Sequence, residues 1–126
     1  MRILVTGGSG FIGTNLIDML LGWNIQLVNL DVKSPPKKTH EGYWQKCDIL
    51  DLDLTRSIFE IFQPTHVVHL AARTDTLSNN LSDYKANTNG TANILYCVKV
   101  VPGIQRIIIT SSQFVYAPPG TPKSDV

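Results

Sequence analysis

The chain has 126 residues, of which 43% are hydrophobic; this is enough for one compact domain with a core, and it excludes a disordered or fibrous protein. Eleven basic and ten acidic residues nearly balance, so the charge gives no electrostatic footprint for nucleic acid or for an anionic membrane. Every apolar run is shorter than the roughly 20 residues that span a bilayer, and Cys47 and Cys97 lack metal-ligand spacing. We therefore expect a cytoplasmic protein with reduced cysteines that binds neither nucleic acid nor membrane.

Strands and helices are predicted to alternate along the chain. Short apolar runs rich in β-branched residues predict strands at residues 2–6, 25–30, 43–47, 66–70 and 104–110. Between the first two strands, apolar residues at helical spacing predict a helix that begins near Phe11 and stops near Gly22. The segment 33–42 is predicted to be a loop.

Two further helices are predicted in the second half of the chain. The first is capped by Asp51 or Asp53, and the second begins near Asn80 or Asp83 and runs to about Val100. Their predicted apolar faces are Leu54, Ile58, Ile61 and Phe62 in the first, and Ala86, Ile94, Leu95 and Val98 in the second.

This alternation requires right-handed crossovers and predicts a Rossmann-type α/β fold. The sheet is parallel and doubly wound, with strand order 3-2-1-4-5. We expect residues 1–126 to form one domain. The tail 118–126, with three prolines, leads out of the fifth strand without building another element.

The sequence VTGGSGFIG at residues 5–13 lies between the first strand and the first helix. It can be parsed as Gly8-x-Gly10-x-x-Gly13 or as Gly7-x-x-Gly10-x-x-Gly13. Glycines permit positive φ and close approach of a diphosphate, whose charge would meet the first N–H groups and the dipole of the helix. A plain strand-to-helix turn is the alternative interpretation.

An acidic residue ends the second predicted strand. Asp31 lies 18 positions after Gly13, where a carboxylate can accept hydrogen bonds from both adenosine ribose hydroxyls and would repel the 2′-phosphate of NADP. The cofactor prediction is therefore NAD, although Lys33, Lys37 and Lys38 are near enough in sequence to weaken that repulsion. Alternatively, Asp31 is a solvated loop residue or a cap.

An ordered set of motifs resembles the extended short-chain dehydrogenase/reductase family, specifically the nucleotide-sugar epimerases and dehydratases, over the whole chain. The motifs are TGGSGFIG at 6–13, Asp31, Asp48-Ile49, HLAAR at 69–73, NTNGT at 87–91 and TSSQFVYA at 110–117.

The resemblance implies a role for each matching residue. It implies that Asp48 accepts from the adenine amino group, that Ile49 contacts the adenine through its backbone, and that Asn87 braces the loop after the fourth strand. It implies that Ser112 hydrogen-bonds the substrate oxygen at the reacting carbon. The remaining implied cofactor-binding residues are Gly7, Gly10, Phe11, Ile12 and Gly13 at the diphosphate, and Leu70, Ala71 and Ala72 under the diphosphate and the nicotinamide ribose.

Ordinary structural roles stay open for these positions. Asp48 could be a polar strand end, Asn87 an exposed helix residue and Ser112 a cap, while the segment 70–72 would serve packing in any case. His66 and His69 are interpreted as strand residues rather than catalysts.

The chain contains no Tyr-x-x-x-Lys, the pair that supplies the general base in the family. We therefore expect the N-terminal portion of a larger enzyme that acts on a nucleotide sugar by hydride transfer, inactive alone and able to form a homodimer. Missing strands would leave apolar surface exposed beside the fifth strand. The alternatives are a non-catalytic NAD(H)-sensing module and a domain that binds nothing.

Overall fold

The computed structural model describes residues 1–75, 77 and 80–111. Its strands all pair in parallel in one five-stranded sheet of order β3-β2-β1-β4-β5. The predicted Rossmann-type sheet and its strand order are confirmed, with ends that differ from the prediction by one or two residues. The strands are β1 Arg2–Thr6, β2 Gln26–Asp31, β3 Trp44–Lys46, β4 His66–His69 and β5 Arg106–Ile109.

Helices cover the two faces of the sheet unequally in the described part of the chain. The α-helices are α1 Phe11–Leu20, α2 Leu52–Phe62 and α3 Thr91–Val100. Ile3 and Val5 of β1 point toward α1, where they pack with Ile17 and Leu20. Leu4 points to the opposite face, in one core cluster with residues of both α2 and α3. No helix in the described residues is long and apolar enough to cross a membrane.

The single helix α1 leaves part of its face of the sheet uncovered by the described residues. A groove between α1 and the strands β4 and β5 is lined by Met1, Leu16, Trp23 and Ile108. Ile108, in the middle of β5, is 53% exposed. Apolar surface beside the fifth strand, as expected from the sequence, is thus present on this face.

The predicted apolar face of α2 was partly wrong. Leu54 is 40% exposed and Ile61 is 83% exposed. The helix buries Thr55, Ile58 and Phe59. These residues are at positions i, i+3 and i+4 of the helix, starting from Thr55. The core-facing side of α2 therefore starts one position later than the prediction, which began at Leu54. The cap is Asp51, whose side chain accepts a hydrogen bond from the Leu54 N–H at 3.0 Å.

The predicted long helix before β5 was wrong as one continuous α-helix. A 3₁₀ helix, Leu81–Tyr84, and a π-helical turn, Ala86–Gly90, precede α3. Residues 87–89 are polar and exposed, so no packed apolar stripe fixes a regular α-helical register there. Within α3, Ile94 is buried as predicted, whereas Leu95 is exposed although it was predicted to face inward; Cys97 is the second buried residue.

The predicted loop at 33–42 contains a 3₁₀ helix, Lys38–Tyr43. It is fastened to α1 through Asp18, which bonds the fully buried His40 Nε2 at 2.8 Å and forms an ion pair with Lys37. Lys37, and then His40, hold the pKa of Asp18 below its usual value. The contacts of Asp18 therefore hold the segment that follows β2 against α1.

Both cysteines are free and buried, as predicted. Burial raises the pKa of the Cys97 thiol to about 11 and also raises the pKa of Cys47. Both thiols are therefore protonated near neutral pH and unreactive in the native state.

Candidate functional site

The carboxyl ends of β1, β2 and β4 lie side by side. Thr6 pairs in register with Leu30 of β2 and with His69 of β4. The chain turns in opposite directions after the neighbouring strands β1 and β4, and ligands of open α/β sheets bind at such a switch point. The glycine turn, Asp31 and the segment 70–72 therefore emerge at one edge.

The glycine turn is too tight for side chains. Gly7 has a φ of +73°, and a Cβ there would lie 2.6 Å from the amide nitrogen of Ala71. A Cβ on Gly13 would lie 2.4 Å from the carbonyl oxygen of Gly7. The positive φ at Gly7 favours the parse Gly7-x-x-Gly10-x-x-Gly13, although Gly8 also has no room for a side chain.

The amides of the turn are all bonded within the protein. The bonds run from Gly7 N–H to Leu30 O at 2.9 Å, from Gly8 N–H to Asn29 Oδ1 at 2.9 Å, from Ser9 N–H to Asp31 Oδ2 at 3.0 Å and from Gly10 N–H to Gly7 O at 3.1 Å. By contrast, the N–H groups of Phe11, Ile12 and Gly13 have no acceptor among the described residues. The Phe11 side chain is 87% exposed. The free donors of this edge are therefore those of the first turn of α1.

Asp31, at the end of β2, is bonded to the glycine turn. Its Oδ2 accepts from Ser9 N–H at 3.0 Å and its Oδ1 from Lys33 N–H at 2.9 Å. Each carboxylate oxygen can accept a further hydrogen bond, so capacity remains for two hydroxyl groups. Lys37, one of three lysines that could offset this charge, is engaged with Asp18.

Asp48 and Ile49 lie at the same edge, because Cys47 N–H bonds the Asp31 carbonyl at 3.2 Å. The Asp48 carboxylate is exposed and accepts from Leu50 N–H at 2.9 Å. The Ile49 side chain is buried, and the Asn93 amide donates to its carbonyl at 2.9 Å. The backbone at Ile49 is therefore held in place from α3.

The segment after β4 is fixed at both ends. Ala71 N–H donates to Thr6 Oγ1 at 3.3 Å. Asn87 bonds both main-chain groups of Arg73, at 2.7 and 2.9 Å. Leu70, Ala71 and Ala72 are thus held between β1 and the π-helical turn. Ser112 lies outside the described residues.

A buried polar network that was not predicted from the sequence supports this edge. His69 is 3% exposed, with Nδ1 2.6 Å from Thr6 Oγ1 and Nε2 3.0 Å from Thr91 Oγ1. Burial lowers the pKa of His69, so the ring is neutral near pH 7. Both His66 and His69 lie on β4, as predicted.

Asn29 was also missed. It is fully buried in β2 and bonds Gly8 and Ser9 through its side chain. The signal that could have found it is an amide within an apolar strand next to the glycine turn.

This edge thus combines a glycine turn, free amides at the start of α1 and a carboxylate at the end of β2, and comparison with known proteins gives the family of the chain. The model of the NAD dependent epimerase/dehydratase family matches residues 3–126. The chain belongs to this family.

Relatives in the epimerase/dehydratase family are considerably longer than this chain. The UDP-glucose 4-epimerase of Mycolicibacterium smegmatis is 33% identical over 99% of this chain and 44% of that protein. A probable dTDP-glucose 4,6-dehydratase of Sinorhizobium fredii is 36% identical over 75% of this chain and 31% of that protein. The UDP-glucose 4-epimerase of Thermus thermophilus, solved in complex with NAD, superposes with a TM-score of 0.75 at 30% identity, over 85% of this chain and 36% of that one.

The predicted family and its dependence on NAD are confirmed by these matches. The chain spans less than half the length of these relatives. The role of each site residue of this epimerase/dehydratase chain stays a prediction.

Proposed function

We propose that this chain binds NAD along the edge formed by β1, β2 and β4, and that it supplies the cofactor-binding portion of an enzyme acting on a nucleotide sugar by hydride transfer. One observation carries the proposal. The N–H groups of Phe11 and Ile12 have no acceptor among the described residues and follow directly on the glycine turn, whose Ser9 amide bonds the Asp31 carboxylate, while every amide of residues 7–10 is bonded internally.

The residues present fit a dinucleotide. The positive end of α1 and its free amides suit a diphosphate, and the glycine contacts leave the backbone bare for close approach. Asp31 then accepts from the adenosine ribose. Asp48 and the Ile49 backbone, at the same edge, contact the adenine. The small side chains of Ala71 and Ala72 permit close approach of the nicotinamide ribose.

NAD, when bound, supplies the carbon that takes up and returns a hydride. The residues of this chain bind and orient; Ser112 hydrogen-bonds the substrate oxygen at the reacting carbon. The names of the relatives support a sugar linked to a nucleoside diphosphate as the substrate class.

The binding part of the proposal is tested by titration calorimetry with NAD and ADP-ribose. We expect both to bind, and we expect Asp31→Ala to weaken NAD by about 1–3 kcal/mol, because a charged hydrogen bond is lost. Asp53→Ala is the matched control, since it removes an exposed carboxylate on α2. Absence of heat for both ligands would refute the proposal, and an Asp31→Ala affinity equal to that of Asp53→Ala would remove Asp31 from the site.

The substrate part is tested with the full-length protein. Incubated with NAD and UDP-glucose or dTDP-glucose, it should convert the sugar, as followed by chromatography of the products. Conversion of neither compound, nor of other nucleotide sugars, by a protein that binds NAD would contradict this part alone.

A further inference from the structure

Asn29 is a fully buried amide in the middle of an apolar strand. Its neighbours Val28 and Leu30 are buried as well. Burying an amide is unfavourable unless its polar atoms are hydrogen-bonded. The Asn29 side chain satisfies this requirement through the glycine turn: Oδ1 accepts from Gly8 N–H at 2.9 Å, and Nδ2 donates to Ser9 Oγ at 3.2 Å.

Asn29 packs so closely against Gly8 that no space is left for a side chain at position 8. A Cβ on Gly8 would lie 2.3 Å from Asn29 Oδ1 and 2.8 Å from Ile17 Cδ1. A side chain at position 8 would therefore displace Asn29, Ile17 or both. The two residues form one unit although they are 21 positions apart.

Asn29 is the first of three consecutive acceptor residues. Asn29, Leu30 and Asp31 take the N–H groups of Gly8, Gly7 and Ser9 respectively. The end of β2 thereby sets the orientation of each peptide in the turn before any ligand arrives. The turn in its fixed shape leads into α1, whose free first-turn amides are thereby oriented in advance, and donors oriented in advance bind an anion at a lower reorganisation cost.

We propose that Asn29 is a positioning residue for the diphosphate half of the site. It fixes the Gly8–Ser9 peptide and, through it, the entry into α1, so that the amides of Phe11 and Ile12 face the diphosphate. This inference rests on the proposed NAD binding. Because Asn29 acts through the turn, its loss weakens ligands that carry a diphosphate and spares adenosine, which depends on Asp31 and Asp48.

The test compares Asn29→Leu, whose side chain has the same number and branching of heavy atoms but no hydrogen-bonding group, with the wild type. ADP-ribose affinity is measured by calorimetry and adenosine affinity by NMR titration. We expect ADP-ribose to weaken by about tenfold or more, with adenosine changed less than about twofold. Asp31→Ala is the converse control and should weaken both. An equal loss of adenosine and ADP-ribose in Asn29→Leu, or no loss of either, overturns the inference.

Two further measurements keep the inference testable if Asn29→Leu does not fold. Ser9→Ala removes only the bond to Asn29 Nδ2, and should weaken ADP-ribose more than adenosine; an equal change in the two affinities contradicts the proposal. Hydrogen exchange of the Gly8 amide in the ligand-free protein should be slow in the wild type, and fast exchange there overturns the claim whether or not NAD binds. If the wild type binds no ADP-ribose but its Gly8 amide exchanges slowly, the proposed function is refuted, while the hydrogen bond between Gly8 and Asn29 is supported.

Discussion

His69 is enclosed by two threonines and connects three elements at the site edge. Its ring bonds Thr6 of β1 and Thr91 of α3 from within β4. Thr6 Oγ1 also receives the Ala71 N–H. A neutral imidazole thus supports the segment 70–72 through Thr6, from within the core.

The burial of His69 predicts a pH dependence of stability. Burial lowers the pKa of His69 below its usual 6.5, so the unfolded chain binds more protons as the pH falls through that value. The free energy of unfolding should therefore fall on acidification, by at most about 1.4 kcal/mol per pH unit from this group. Urea unfolding at several pH values between about 7.5 and 5 brackets the ordinary histidine pKa and measures this slope. His69→Gln should flatten it, and identical slopes for the variant and the wild type would contradict the assignment.

At the residue scale, the sequence motifs named the candidate site residues but could not predict the hydrogen bonds among them. Asp31 could be placed because it ends an apolar strand at a known distance from the glycines. Its bond to the Ser9 amide could not, since it depends on the turn being folded back over β2. Asn29 and His69 were missed for the same reason: their partners are 20 or more positions away in sequence.

At the element scale, helix α1 packs closely against the glycine turn at Gly13. Among the described glycines whose added Cβ would meet backbone atoms, Gly13 has the shortest such distance. A Cβ on Gly13 would meet the Gly7 oxygen and the Gly8 Cα, both at 2.4 Å, and neither is a flexible side chain. Gly42, in the 3₁₀ helix, has nothing within 4 Å of the same position. The two glycines form a matched pair.

We expect Gly13→Ala to destabilise the protein by about 1–3 kcal/mol, because backbone must move to admit the methyl group. Gly42→Ala should be neutral or slightly stabilising, since it restricts the unfolded chain without a clash. Chemical denaturation of both variants measures the difference. Equal free energies of unfolding for the two would show that α1 can shift away from the turn at little cost.

Helix faces were predicted less well than helix positions. In α2 the buried positions include Thr55, whose hydroxyl group hides it from a hydrophobic pattern, whereas Ile61 in α2 and Leu95 in α3 are apolar and exposed. Tertiary packing decides these faces. The π-helical turn before α3 was equally beyond reach, since its polar residues carry no periodicity.

At the scale of the whole molecule, strand order could be predicted because alternation and handedness leave few topologies open. The unequal cover of the two faces follows from that order: α1 runs from β1 toward one side, and α2 and α3 lead toward the other. Among the described helices, right-handed crossovers then place α1 alone on its face.

The uncovered groove beside α1 predicts self-association of the 126-residue chain. Sedimentation velocity should show a coefficient that rises with protein concentration, because apolar surface is buried between copies. Ile108→Lys should reduce the effect, since a charge enters the groove. Ile61→Lys, on α2 at the opposite face, should leave it unchanged. A wild type that stays monomeric at all concentrations would contradict this prediction.

The dependence of the glycine turn on the end of β2 makes ligand binding a property of the sheet. If β2 separates from β1, the amides of residues 7–9 lose their acceptors together, and the glycine turn is no longer held in the shape that orients the start of α1. On the proposed mode of binding, NAD binds only when β1 and β2 are paired, and each bound molecule opposes the opening of β2 by mass action. Cofactor binding and the pairing of β2 with β1 should therefore stabilise each other.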